Sequence, residues 1–135
     1  YTALTTKFMA AIRSSVSCSS TPSQTLVMHA LTDPAHEAQK KELKKMLQVR
    51  YDAVRKFVDT HESKVLEVLP FNSGYFMSFH VKTGNAEDIR KKLLAEEGIG
   101  IIQIDQNTLR VAFSSIDEDK IDSVYSSIYK IAESM

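Results

Sequence analysis

Cysteine is nearly absent from the chain. Cys18 stands alone, so no internal disulfide can form. That suits a reducing, cytoplasmic setting. An excess of charge of one sign is lacking too: 17 basic residues stand against 17 acidic ones, for a formal net charge of zero. Balanced charge removes the general electrostatic argument for binding nucleic acid or an anionic membrane. No apolar run approaches the roughly 20 residues needed to span a bilayer. No signal peptide opens the chain, which starts at Tyr1 instead of methionine, as a piece of a longer protein would. His29, His36, His61 and His80 lack metal-ligand spacing, and there is no glycine-rich phosphate loop. Cys18 has no base partner in view and reads as a passive thiol. The serines around it lack the Gly-x-Ser-x-Gly context of a hydrolase.

What is present is a chain of 135 residues, 43% hydrophobic, enough for one domain with a core. Leu4, Phe8, Ala11 and Ile12 recur at helical spacing and predict a helix over residues 1 to about 13. Ser14 to Ser23, rich in serine and holding Pro22, reads as a loop. From Ser23 to Leu31 the apolar positions Leu26, Val27, Ala30 and Leu31 suggest a second short helix. Asp33-Pro34 is a strong helix start, with a capping aspartate and proline at the first helical position. From there a long helix is expected to run to about Thr60, with Leu43, Leu47, Val54, Phe57 and Val58 as its apolar stripe. The lysine-rich run from Gln39 to Lys45 is better explained as a solvated face than as a phosphate site.

The second half is more regular. Strands are predicted over Val65–Leu69, Tyr75–Val81, Ile99–Ile104 and Leu109–Phe113. In the second of these, Tyr75, Met77, Phe79 and Val81 alternate with Phe76, Ser78 and His80. Asn85 is placed to cap a helix bearing Ile89, Leu93 and Leu94, which Gly98 ends. Ser115-Ile-Asp-Glu118 has capping-box spacing. A last helix carries Ile121, Val124, Tyr125, Ile128 and Ile131 on one side. The order β-β-α-β-β-α predicts an α+β fold: a long helix, then helices packed on a small, mainly antiparallel sheet. That order alone fits many ligand-binding and regulatory domains and does not imply a function.

Arg110 is the leading candidate for a functional residue. It lies inside an apolar strand, between Leu109 and Val111, where burial without a partner is costly. Two readings are open from the residues. One is an arginine at a strand edge paired with a neighbouring carboxylate. The other is a fixed guanidinium at the edge of a small sheet that grips a ligand carboxylate with two parallel hydrogen bonds. Arg13, near the end of the first helix, reads equally as an arginine facing the helix dipole. Gly74 reads as a turn glycine at positive φ.

Three segments together resemble a known family. Gly98-Ile-Gly-Ile-Ile followed by Leu109-Arg110-Val-Ala is similar to the carboxylate-binding strand of pyridoxal-phosphate-dependent aminotransferases of the aspartate aminotransferase type. Pro70-Phe-Asn72-Ser-Gly74-Tyr-Phe76 resembles the glycine-aromatic segment of that family's small domain, and Ile12-Arg13-Ser-Ser-Val-Ser17 its "xR…S" segment. Cys18-Ser19 follows where the family often has Asn-Pro. The order and spacing fit over nearly the whole chain.

The resemblance implies several things. Residues 1–32 would be the tail of a large cofactor-binding domain. Residues 33–135 would be the C-terminal small domain, with the long interdomain helix. Arg110 would hold the α-carboxylate of an amino acid, with Gly74 and Asn72 near the substrate. Arg13 would reach a neighbouring subunit's site and meet a side-chain carboxylate, which favours a dicarboxylic or aromatic substrate and a homodimer. Ser17 would touch the cofactor, pyridoxal 5'-phosphate. The lysine that binds this cofactor covalently has no match among the lysines here, and in the family it lies upstream. The expected activity of the parent is therefore transfer of an amino group to a 2-oxo acid, with this chain inactive by itself. A stand-alone non-catalytic ligand-binding or regulatory domain is the competing reading. A lyase or decarboxylase using the same cofactor is a third.

Overall fold

The structure is a computed structural model and describes residues 1–17 and 20–135. Cys18 lies outside the described residues. The chain divides into two units, Tyr1–Lys41 and Glu42–Met135.

The first unit holds α1 (Thr2–Ser15), α2 (Thr21–Thr32) and the start of α3 (His36–Thr60). Both short helices run a turn or less beyond their predicted bounds and bury no residue. Phe8, Ile12, Leu26 and Leu31 are all more than half exposed. At the end of α1 the Ser17 N–H donates to the Ile12 carbonyl at 2.8 Å, closing the helix through a residue at φ +53°. That left-handed position ordinarily takes glycine, because a Cβ there is crowded. Asp33 does not start α3 directly. Its carboxylate accepts from the Ala35 N–H at 2.7 Å, which closes a turn over Pro34, and the helix begins at His36.

The second unit contains the core. The C-terminal half of α3 buries Val54 and Phe57, while Leu43, expected on the same stripe, is exposed. Strands β1 (Leu66–Val68), β2 (Met77–Val81), β3 (Ile102–Asp105) and β4 (Thr108–Val111) form a sheet of order β1-β2-β4-β3, antiparallel throughout. Between β2 and β3 runs α4 (Ala86–Glu97), and α5 (Ile121–Glu133) closes the chain. The predicted β-β-α-β-β-α order and α+β class therefore hold.

Side-chain alternation divides the sheet into two faces. Leu66, Met77, Phe79, Val81, Leu109 and Val111 point into the core with Ile89 and Leu93 of α4 and Ile121, Tyr125, Ile128 and Ile131 of α5. Each fully buried aliphatic side chain of this kind contributes about 1.5–3 kcal/mol of hydrophobic transfer free energy. The other face carries Ser78, His80, Thr108 and Arg110, all half-buried, and Ile102, which is exposed.

Both ends of α4 follow from single residues. The Asn85 side chain accepts from the Glu87 N–H at 2.8 Å, and Gly98 terminates the helix at φ +67°. The capping box at Ser115–Glu118 does not form. Short 3-10 turns at Phe113–Ser115 and Glu118–Lys120 precede α5, and no side chain caps them. Arg50 of α3 occupies this connection instead. It donates to the Ser114 carbonyl and, at 3.2 Å, to the Asp117 carboxylate.

Candidate functional site

Arg110 lies on β4, which is flanked on both sides by other strands. The expectation of a strand-edge arginine is corrected here, because β2 pairs with β4 and leaves β1 and β3 as the edges. Arg110 stands opposite Ser78 on one side and Ile102 on the other. Neither neighbour offers it a charge.

Among the described residues no carboxylate comes within salt-bridge distance of Arg110. Asp105, at the end of the adjacent strand, is committed to its own turn. It accepts from the Asn107 N–H at 2.9 Å and the Thr108 hydroxyl at 3.1 Å. Those bonds, the backbone one foremost, hold its carboxyl below the usual carboxylate range, with His80 adding a favourable positive charge. The Arg110 Nε is enclosed and has no hydrogen-bond partner among the described residues. Its guanidinium carbon lies 4.6 Å from the centre of the Phe76 ring. A cation is thus held on the non-core face of the sheet with no fixed anion beside it. Such an arrangement can take a carboxylate or another small anion.

Gly74 and Asn72 lie just upstream of β2, in the segment that carries Phe76. Both are exposed. Gly74 has φ +92°, which accounts for glycine by backbone conformation, and a Cβ there would meet nothing within 4 Å. The Asn72 side chain accepts from the Ser73 hydroxyl at 3.3 Å. Ser114 N–H donates to the Tyr75 carbonyl at 3.3 Å, which ties this segment to the chain just beyond β4.

Arg13 and Ser17 belong to the first unit and are brought together by the helix end. Arg13 Nη1 donates to Ser17 Oγ at 3.0 Å. Both border an open hollow of about 490 Å³ together with Thr6, Met9, Ala10 and Ile12. Ser17 Oγ accepts from Arg13, and among the described residues neither its own proton nor the other Arg13 donors are engaged. This donor set fits an anionic group such as a phosphate or carboxylate. Among the described residues no group of histidine, cysteine and acidic side chains could hold a metal ion, and no helix is long and apolar enough to cross a membrane.

Sequence reasoning missed Phe76 and Ser78 as members of the Arg110 site. The alternation expected over Tyr75–Val81 already grouped both with His80, apart from Met77, Phe79 and Val81. Only the register between β2 and β4 brings that group to Arg110.

The family model for aminotransferases of class I and II matches residues 5–128. Among solved structures, the chain is similar to alpha-aminoadipate aminotransferase of Thermus thermophilus, with TM-score 0.71 and 17% identity over 99% of this chain and 36% of that one. That structure holds a phosphopyridoxyl-leucine adduct. Kynurenine aminotransferase of Pyrococcus horikoshii gives TM-score 0.70 and 17% identity over 98% of this chain and 35% of that one. A multiple substrate aminotransferase of Thermococcus profundus gives TM-score 0.70 and 15% identity over 93% and 33%. The chain thus spans about a third of the length of these enzymes. At such identities the likeness establishes the fold. No curated protein matches the chain in sequence.

Proposed function

The chain belongs to the aminotransferase class I and II family, and on that premise we propose that it is the carboxylate-holding part of an enzyme that moves an amino group from an amino acid to a 2-oxo acid. The observation that carries this reading is the position of Arg110: an interior strand, an enclosed Nε without a partner, and no competing carboxylate among the described residues. A guanidinium already fixed in the sheet loses little further freedom on binding. It can grip the substrate's α-carboxylate through two parallel N–H donors and so hold the Cα–H bond in one orientation.

The family implies pyridoxal 5'-phosphate. When bound, that cofactor withdraws electrons from the substrate's Cα so that its proton can leave. In this chain Arg13 and Ser17 have the donors to face its phosphate or a substrate carboxylate. Arg13 is assigned to a side-chain carboxylate in a partner subunit of a homodimer, which favours a dicarboxylic or aromatic amino acid. Residues 1–32 are assigned to the large cofactor-binding domain and residues 33–135 to the small one. The small domain then acts as a lid, excluding water when it closes over the substrate.

The test is Arg110→Ala in the full-length parent enzyme, with steady-state kinetics for both the amino-acid and the 2-oxo-acid substrate. A sharp loss of kcat/KM for both supports the reading. Activity within about threefold of wild type, well under the roughly 1.5–3 kcal/mol of a charge-assisted hydrogen bond, overturns it.

A further inference from the structure

We infer that Phe76 is a positioning residue for Arg110, setting the plane of the guanidinium so that its donor edge is presented to the substrate. The inference rests on the reading of Arg110 as the carboxylate clamp.

Core packing does not account for Phe76. The ring is 44% exposed, and its neighbour Met77 takes the buried position at the start of β2. The Arg110 guanidinium carbon sits 4.6 Å from the ring centre, and Tyr75 meets the ring edge-on with centroids 6.4 Å apart.

The sheet explains how they meet. Arg110 is directly opposite Ser78, and Phe76 lies two residues before Ser78, just ahead of β2, with its ring 4.6 Å from the guanidinium carbon. Such diagonal neighbours are within reach of long and aromatic side chains. Serine at the intervening position is small enough to let the arginine cross toward the ring.

Stacking suits this task for a geometric reason. A guanidinium bound by a fixed carboxylate would have its donor edge occupied. One that lies over an aromatic face is held through its π surface, and its in-plane N–H groups stay available for a bidentate grip. With Nε enclosed and unpartnered, no hydrogen bond from that atom fixes the plane. Phe76 supplies the restraint without competing for the ligand.

The experiment uses the full-length parent enzyme with Phe76→Leu, Phe76→Tyr, Arg110→Ala and the double variant Phe76→Leu/Arg110→Ala. Leucine keeps apolar bulk and removes the ring quadrupole, while tyrosine keeps the ring. Phe76→Leu should raise KM for both substrates by roughly 2- to 30-fold, the range of a cation–π contact, with kcat changed less. Phe76→Tyr should restore wild-type KM within about twofold, and Phe76→Leu should add nothing in the Arg110→Ala background. If Arg110→Ala damages activity but Phe76→Leu leaves KM unchanged, or does equal harm without Arg110, the positioning role is wrong and the clamp reading stands. If Arg110→Ala itself has no effect, the clamp reading fails and takes this inference with it.

Discussion

Arg110 and Ser78 face each other across the two central strands of the sheet, on the side away from the core. A small hydroxyl thus stands where a bulky or acidic side chain would cover or neutralise the arginine. The guanidinium lies over the Phe76 ring, its carbon 4.6 Å from the ring centre.

From that arrangement the sharpest kinetic expectation concerns Arg110. In the full-length parent, Arg110→Ala should lower kcat/KM by about 10- to 150-fold, the equivalent of about 1.5–3 kcal/mol. Arg110→Lys should recover only part of the loss, because a lysine offers a point charge without the planar fork. Full recovery by lysine would show that charge alone suffices and that the bidentate geometry is not used.

Glu87 links the stability of α4 to acid. Arg90 donates to it twice, at 2.6 and 2.7 Å, and this bond, with the nearby charge of Arg90 and Lys91, holds the Glu87 carboxyl down at about 2 against an ordinary 4.5. A lowered folded-state value means stability present above the unfolded value and lost as pH falls through the folded one. Glu87→Gln should therefore lower the melting temperature slightly at neutral pH. The difference from wild type should shrink between pH 4.5 and 2. A pH-independent difference would assign the effect to helix propensity and not to charge.

Tyr125 presents the opposite case. Its side chain is fully buried, and its hydroxyl has no hydrogen-bond partner among the described residues. Burial, helped by the neighbouring Tyr129, pushes the phenol above its usual 10.0. Tyr125→Phe should be at least as stable as wild type and gain up to about 1 kcal/mol, since it removes a desolvated, unpaired group. The sign with pH follows from the raised value: the wild-type contribution is complete below pH 10 and is lost above it, as the unfolded chain ionises first. Denaturant titrations at pH 7 and pH 11 should show the phenylalanine variant falling less. A loss of more than 1 kcal/mol at pH 7 would mean that the hydroxyl has a partner.

Gly98 tests the backbone alone. It sits at φ +67°, and an added Cβ would meet nothing within 4 Å. Gly98→Ala should destabilise the chain by about 1 kcal/mol through left-handed strain only. Gly98→Asn, which tolerates that conformation better, should cost less. Equal costs for the two in urea denaturation would point to a steric cause.

Most of the elements were legible in the sequence because they rest on local chemistry. Asn85 and Gly98 bound α4 as caps, and the run Ile121 to Ile131 marks α5 by its period. Alternation through Met77–Val81 separates the two faces of β2. Local signals were weaker where a competing hydrogen bond intervened. Asp33 spends its carboxylate on a turn, so α3 starts later than the Asp-Pro signal suggests. Ser115 and Glu118 have capping-box spacing, yet Arg50 holds Ser114 and Asp117 and the box does not form.

The sequence by itself determined the order of helices and strands, the buried face of β2 and of α5, and that an arginine would sit in an apolar strand. These depend on residues a few positions apart, whose periodicity and capping act within one element. Tertiary structure alone decided that β4 is interior, that Ser78 lies opposite Arg110, and that Phe76 stacks on the guanidinium. Pairing of β2 with β4 joins Ser78 to Arg110, residues of two elements separated by a whole helix and another strand. Its register is set by fitting whole faces into a common core, and no local pattern specifies it.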